Sequence, residues 1–223
     1  MGGFFGVASK TDCVSDLFYG TDYHSHLGTR RAGMATLSET GFVRVIHNIE
    51  NAQFRSKFDD ELGRFHGGCG IGVISDYEDQ PLIVGSHLGT YAIVTVGVIR
   101  NLNALVHSAF GKRDTHFSEM SGGEINPTEL IATLINEKAS FTEGLRHVQE
   151  TVEGSCSILL LTEEGVYVAR DMVGRTPVVL GKKDGSHCAC LESSALPNMD
   201  YDPLRDLGPG EIVRMTPDGI EQM

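Results

Sequence analysis

Positive charge is scarce in this chain. Its 223 residues include 18 Lys and Arg against 30 Asp and Glu, a formal net charge of −12. A surface of that sign repels phosphate backbones and anionic headgroups, which argues against nucleic acid or a membrane as partner. The one local basic pair, Arg30-Arg31, is too short to reverse this. Long apolar runs are also lacking, so no segment reads as a membrane span. No basic stretch leads into an apolar one, so no secretory signal is visible. The opening Met1-Gly2 invites a myristoylation reading, but that motif needs Ser or Thr at position 6 and finds Gly6. Internal repeats, low-complexity tracts and linkers are missing. Cys13, Cys69, Cys156, Cys188 and Cys190 are odd in number and scattered. With no secretion signal they read as free, mostly buried thiols of a cytoplasmic protein. Cys188 and Cys190 alternate along one strand face and read as strand residues rather than metal ligands.

Hydrophobic residues make up 40% of the chain and charged ones 22%, with seven prolines. That composition argues against disorder and suffices for one sizeable core. Strand signals dominate, at about 4–8, 42–47, 69–75, 81–86, 91–99 and 211–216. The segments 69–75 and 81–86 read as a pair. Two hairpins are expected, at Glu163-Glu164-Gly165 and Lys182-Lys183-Asp184-Gly185, joining 157–162 to 165–171 and 177–181 to 187–192. Four helices are readable, over about 12–19, 101–110, 127–135 and 142–152. The third has the clearest start: Asn126 suits the N-cap, Pro127 the first helical position, and Glu129 completes a capping-box spacing. Leu130, Ile131, Leu134 and Ile135 then form its apolar stripe. Segments 40–52 and 54–65 fit neither template cleanly. Paired hairpins with helices between strands, and no regular β-α-β rhythm, give an α+β layered sandwich.

The order of motifs resembles class II glutamine amidotransferases, and most closely the glutaminase domain of the amidophosphoribosyltransferase family. Met1-Gly2-Gly3-Phe4-Phe5-Gly6 resembles that family's Met-Cys-Gly-hydrophobic-hydrophobic-Gly start. His26-Leu27-Gly28-Thr29-Arg30-Arg31-Ala32-Gly33 stands where the family carries His-Arg-Gly-Gln-Glu-Gly-Ala-Gly. Ile71-Gly72-Val73-Ile74-Ser75-Asp76, followed by Gln80-Pro81-Leu82, stands for Ile-Gly-His-Val-Arg-Tyr and its following Gln-Pro-Leu. Arg170-Asp171 with Gly174, Arg175 and Pro177 is similar to the family's Asp-x-x-Gly-x-Arg-Pro, one residue out of step. Gly208-Pro209-Gly210-Glu211 is similar to its Glu-Pro-Gly-Glu turn. The resemblance covers essentially the whole chain. It implies one glutamine amidotransferase type 2-like domain over 1–223, with a four-layer αββα sandwich of the N-terminal-nucleophile hydrolase type and antiparallel sheets.

The departures fall on the chemistry. In the family the cysteine after the initiator Met is the nucleophile and its own amine the base; here Gly2 has no side chain. The family's Asn-Gly oxyanion pair becomes Val96-Gly97, and losing one such donor costs about 3–4 kcal/mol of transition-state stabilisation. The arginine that clamps glutamine's carboxylate becomes Ser75, and the aspartate that holds its amine becomes Pro127. Loss of the nucleophile alone costs on the order of a millionfold in rate. The expected degenerate ligand pocket therefore comprises Gly2, Arg30, Ser75, Gly97, Gly122, Gly123 and Pro127.

Other residues carry a sharp and a plain reading side by side. Cys13 and Cys69 are candidate substitute nucleophiles or ordinary buried thiols. His24, His26, Arg30 and Arg31 form an anion pocket with Gly28 or a solvated loop. Ser121-Gly122-Gly123-Glu124 lacks the lysine and preceding strand of a phosphate loop and reads as a reshaped pocket wall. Asp76, Glu78 and Asp79 are a cation site or a charged loop. No cofactor or metal is expected. The resemblance implies purine nucleotide biosynthesis and a phosphoribosyltransferase domain or subunit as partner, and leaves homo-oligomers open. Three functions stay in play: a degenerate amidotransferase domain without glutaminase activity, an active hydrolase with a rearranged site, and a non-catalytic metabolite-binding module.

Overall fold

A computed structural model describes residues 2–111, 120–121 and 124–223. The chain opens with β1 (Gly3–Ser9), α1 (Val14–Asp22), β2 (Arg31–Ser38) and β3 (Gly41–Asn48). It continues through α2 (Phe54–Phe58), β4 (Cys69–Ser75), β5 (Leu82–Ser86), β6 (Gly89–Ile99) and α3 (Leu102–Gly111). A short ribbon, β7 (Met120–Ser121) with β8 (Glu124–Ile125), precedes α4 (Pro127–Ile135) and α5 (Phe141–Thr151). Then come β9 (Gly154–Thr162), β10 (Gly165–Ala169), β11 (Val179–Lys183), β12 (Ser186–Cys190) and α6 (Ala195–Asn198). The described chain closes with β13 (Asp202–Asp206), β14 (Ile212–Thr216) and β15 (Gly219–Gln222).

Two antiparallel sheets face each other. One runs β13-β11-β12-β1-β4-β2-β3 and the other β15-β14-β10-β9-β6-β5. Between them lies a core of small and branched side chains, among them Phe4, Ala35, Ile71, Val94, Leu159 and Val168. The outer face of the first sheet buries Phe5, Met34, Cys188 and Cys190 under Leu17 and Phe18 of α1 and Phe54 and Phe58 of α2. The outer face of the second buries Tyr91, Ile93, Leu160 and Tyr167 under α4 and α5. Strand alternation produces this division: Phe4 and Phe5 are both fully buried, yet they face different layers. The result is the expected αββα sandwich.

The strongest local signals land where the residues placed them. Asn126 caps α4, its side chain accepting from the Thr128 N–H at 2.9 Å, with Pro127 in the first turn. Both hairpins form; the second turns on Asp184-Gly185 alone, with Lys182 and Lys183 inside β11. Segment 40–52 holds β3, and 54–65 holds α2 followed by a 3-10 stretch, Asp59–Arg64.

One expected pairing is wrong. β4 and β5 do not pair: β4 lies between β1 and β2, while β5 is the edge of the other sheet, beside β6. Residues 76–81 carry the chain across the sandwich instead. Gln80, buried, fastens that crossing: its amide accepts from the Thr95 N–H at 2.7 Å and donates to the Thr95 carbonyl at 3.1 Å. Asn126 adds a hydrogen bond from Nδ2 to the Asp79 carbonyl at 3.2 Å. The crossing thus hangs over the end of β6 and the start of α4.

Candidate functional site

The crossing roofs a cleft at the end of the sandwich. β1 is a central strand, and its register sets Gly3 opposite Ile74, which brings Gly2 beside Ser75. In the other sheet Gly97 of β6 lies opposite Cys156 of β9. Gly2, Ser75, Val96, Gly97 and Pro127 accordingly line one cleft of about 230 Å³, although they are up to 125 positions apart. Val98, Ile99 and Leu102 form an apolar wall, and Asp76, Tyr77 and Glu78 descend from the crossing.

Each of these positions has a local cause. Gly2 is pressed against β4, so that a Cβ added there would fall on the Ile74 carbonyl oxygen. Gly97 is held equally close to β9, its missing Cβ facing the Ser155 carbonyl. Ser75 is 4% exposed, and its hydroxyl is fully engaged: Oγ donates to Glu78 Oε2 at 2.7 Å and accepts from the Tyr77 and Glu78 N–H groups at 3.3 and 3.2 Å. Val96 packs into the inter-sheet core as it lines the cleft, whereas Val98 is 54% exposed at the mouth. Thr95 and Thr128 join hydroxyls at 2.7 Å, tying β6 to the first turn of α4.

Arg30 lies next door rather than inside. It lines an adjoining depression that shares Asp76 and Tyr77 with the cleft, with its guanidinium 5.9 Å from the Tyr77 ring centre and Nε 3.6 Å from Glu50. Gly122 and Gly123 lie outside the described residues. The flanking Ser121 and Glu124 pair across the β7-β8 ribbon.

The alternative nucleophiles are not at this site. Cys13 is fully buried under the first sheet, and burial pushes its thiol well above the ordinary range. Cys69 begins β4, six residues from Ser75, which at ~3.3 Å per residue puts it about 20 Å from the cleft. Burial raises its thiol as well. The thiol that does line the cleft is Cys156, which no motif marks. Burial, and then the Asp171 and Glu78 carboxylates, push it up to about 12, so it is protonated at neutral pH. A pairing register would have revealed Cys156 as the neighbour of Gly97; linear spacing does not.

The side chains of His24, His26 and Arg31 do not converge on an anion pocket. His24 is fully buried, its Nδ1 donating to the Gly20 carbonyl at 2.7 Å and its Nε2 accepting from the Leu191 and Glu192 N–H groups. Both ring nitrogens are used, and burial lowers its pKa below the usual histidine range. His26 faces Glu192 at 3.1 Å, and Arg31 pairs with Asp79 at 2.8 Å. Nor do Asp76, Glu78 and Asp79 converge: Asp76 accepts from Thr29, Glu78 from Ser75 and Asp79 from Arg31. Among the described residues no group of three metal-ligating side chains comes together.

The C-terminal motif is structural. Arg170 donates to the carbonyls of Thr176, Gly174 and Leu207. Asp171, 2% exposed, accepts from the Arg175 and Thr176 N–H groups at 3.0 Å each and from Ser157 Oγ. Glu211 caps the turn at Gly208 and pairs with Arg205.

Known proteins share this architecture. The chain is 24% identical to the amidophosphoribosyltransferase of Methanocaldococcus jannaschii over 96% of its own length and 47% of that protein's. It superposes on the glutamine phosphoribosylpyrophosphate amidotransferase of B. subtilis, complexed with ADP and GMP, with a TM-score of 0.88 at 20% identity. That match covers 99% of this chain and 48% of the other. A solved allosteric regulatory enzyme of purine biosynthesis gives a TM-score of 0.86 at 20% identity, over 99% and 48% of the two chains. The chain therefore spans about half the length of the relatives it matches. The family model for the glutamine amidotransferase domain matches residues 70–198, more than half of the chain. The chain belongs to the glutamine amidotransferase domain family, and within it is amidophosphoribosyltransferase-like.

Proposed function

We propose that this is a degenerate glutamine amidotransferase domain, one that keeps the sandwich and has lost glutaminase chemistry. The whole of 1–223 acts as one such domain, beside a phosphoribosyltransferase domain or subunit and linked to purine nucleotide biosynthesis. The observation that carries the reading is Gly2. It stands at the cleft end of β1 facing Ser75 and Gly97, and the space for a Cβ is taken by the Ile74 carbonyl. An N-terminal nucleophile needs a thiol or hydroxyl at that point. Three further features support the reading. The Val96 side chain has no polar hydrogen for an oxyanion, Ser75 engages its hydroxyl on its own loop, and there is no Lys, Arg or His among the lining residues.

One rival has a specific observation in its favour. Cys156 lines the cleft and makes an active hydrolase with a rearranged site conceivable. Against it stand the raised thiol, which is protonated at neutral pH, and the absence of histidine among the lining residues.

The test is a rescue experiment. Gly2→Cys, with the initiator methionine removed, is expected to release no ammonia from glutamine, because the backbone excludes the new Cβ and the clamp and oxyanion donors are still missing. Millimolar glutamine is expected to leave the melting temperature of the wild type unchanged, since a ligand that binds the native state must raise it. A rescued variant, or a glutamine-dependent shift, contradicts the reading. Ammonia release by the wild type that Cys156→Ser abolishes favours the rival.

A further inference from the structure

Two arginines stand apart from the rest. Arg100 lies in the turn between β6 and α3, and Arg175 in the loop between β10 and β11. Both are exposed, and among the described residues neither guanidinium has a hydrogen-bond or ion-pair partner. Each other described arginine engages a carboxylate or a backbone carbonyl, as Arg55 does Asp22 and Arg146 the Met223 carbonyl. Arg100 and Arg175 line one depression of about 260 Å³ with Val98, Gly154, Ser155 and Val173. No carboxylate lines it.

Three segments bring these residues together. The β6-β9 register sets Val98 opposite Ser155 and Ile99 opposite Gly154, and the Arg100 N–H donates to the Glu153 carbonyl at 2.7 Å. On the facing loop the Asp171 carboxylate is taken up by the Arg175 and Thr176 N–H groups and by Ser157 Oγ. A second, independent feature is Ser155, which is only 4% exposed and lines the same depression. Its Oγ accepts from the Val98 N–H at 3.3 Å, and no acceptor for its own hydrogen lies among the described residues. A buried hydroxyl hydrogen without an acceptor costs free energy that a ligand oxygen recovers. Val98 and Val173, 54% and 68% exposed, flank the two cations with apolar surface.

The net charge of −12 repels anions in general, so an anion stays here only through direct contacts. Two guanidinium forks and a hydroxyl offer more donors than the two oxygens of a carboxylate can use, and suit the three oxygens of a phosphate dianion. We infer that this depression binds a phosphomonoester, with Arg100 and Arg175 on the phosphate and Val98 and Val173 against the organic group that carries it. The inference does not rest on the loss of glutaminase chemistry, because Val98 is the one lining residue shared with the cleft.

The experiment titrates phenyl phosphate, inorganic phosphate and benzoate into the wild-type chain by calorimetry, above the second phosphate ionisation at about pH 6. Phenyl phosphate is expected to bind and to raise the melting temperature. Benzoate, short of oxygens and charge, and inorganic phosphate, which has no ring to lay on the valines, are each expected about tenfold weaker or worse. Arg100→Gln and Arg175→Gln should each weaken phenyl phosphate by about tenfold, whereas Arg55→Gln, whose guanidinium pairs with Asp22, should leave it unchanged. A second measurement needs no variant to fold: phenylglyoxal modification of the wild type, mapped by mass spectrometry, should label Arg100 and Arg175, and phenyl phosphate should shield both. No binding of phenyl phosphate, or binding of either other probe as tightly, would overturn the inference. So would undiminished binding in either variant, an equal loss in Arg55→Gln, or labelling that phenyl phosphate does not shield.

Discussion

Two neighbouring regions at the same end of the sandwich have been put to opposite uses. In the loop after β10, Arg170 and Asp171 together satisfy five backbone groups, two N–H and three C=O, and Asp171 is nearly inaccessible. In the cleft beside it, Val98 is half exposed and Tyr77 is 71% exposed, while Ser75 and Glu78 bond to each other within one short loop. Both regions sit on motifs that resemble the family's. In one the residues hold the chain, and their loss would leave part-buried backbone donors without partners. In the other, under the proposed reading, they face a cleft rather than hold the chain. On the proposed reading, the difference accounts for a scaffold that keeps its turns while its cleft residues depart from the family's motifs.

The largest effect that sharpens this contrast is expected at Asp171→Ala. It removes the acceptor of two part-buried N–H groups and of the buried Ser157 hydroxyl, and should cost about 3 kcal/mol in chemical denaturation. A cost near zero would erase the distinction between the two regions. Next comes His24, another buried group that holds backbone. Its pKa is lowered in the folded state, so the folded protein resists a proton that the unfolded chain accepts. Stability from this group is therefore complete above the unfolded value of 6.5 and falls as pH drops below it toward the lowered folded value. The slope is about 1.4 kcal/mol per pH unit for one proton. Denaturation from pH 7.5 to 5.5 should show it in the wild type and lose it in His24→Gln; an unchanged slope would contradict the assignment. Removing the helix cap at the cleft's edge, Asn126→Ala, should cost about 1 kcal/mol. Smallest of all, Val98→Ser at the cleft mouth should stay within about 0.5 kcal/mol of the wild type.

The legible parts of the sequence were those where one residue type solves one local problem. Asn126-Pro127 marked a helix start, the turn glycines marked hairpins, and β-rich 69–75 and 91–99 became β4 and most of β6. β2 went unread because Ala32, Gly33, Met34 and Ala35 carry little β propensity; they form a strand because a central, doubly covered position accepts small side chains. β13 was missed for the reverse reason, being a polar edge strand with every residue exposed. The β4-β5 error came from proximity in sequence, which cannot reveal that Gln80 fastens a crossing between sheets. In the cleft, Gly2, Ser75, Val96, Gly97 and Pro127 were found through the family's motif order and do line one space. Cys156 is there only because of strand register, which no motif encodes.

The most direct test of the central claim is ammonia release from glutamine by the wild-type chain, beside a heat-killed control and with folding verified by its cooperative melt. A folded protein that releases no more ammonia than the control is the expected result. Release at a rate typical of an enzyme, from the same folded protein, would show that the cleft at Gly2 still does the family's chemistry and would contradict the account.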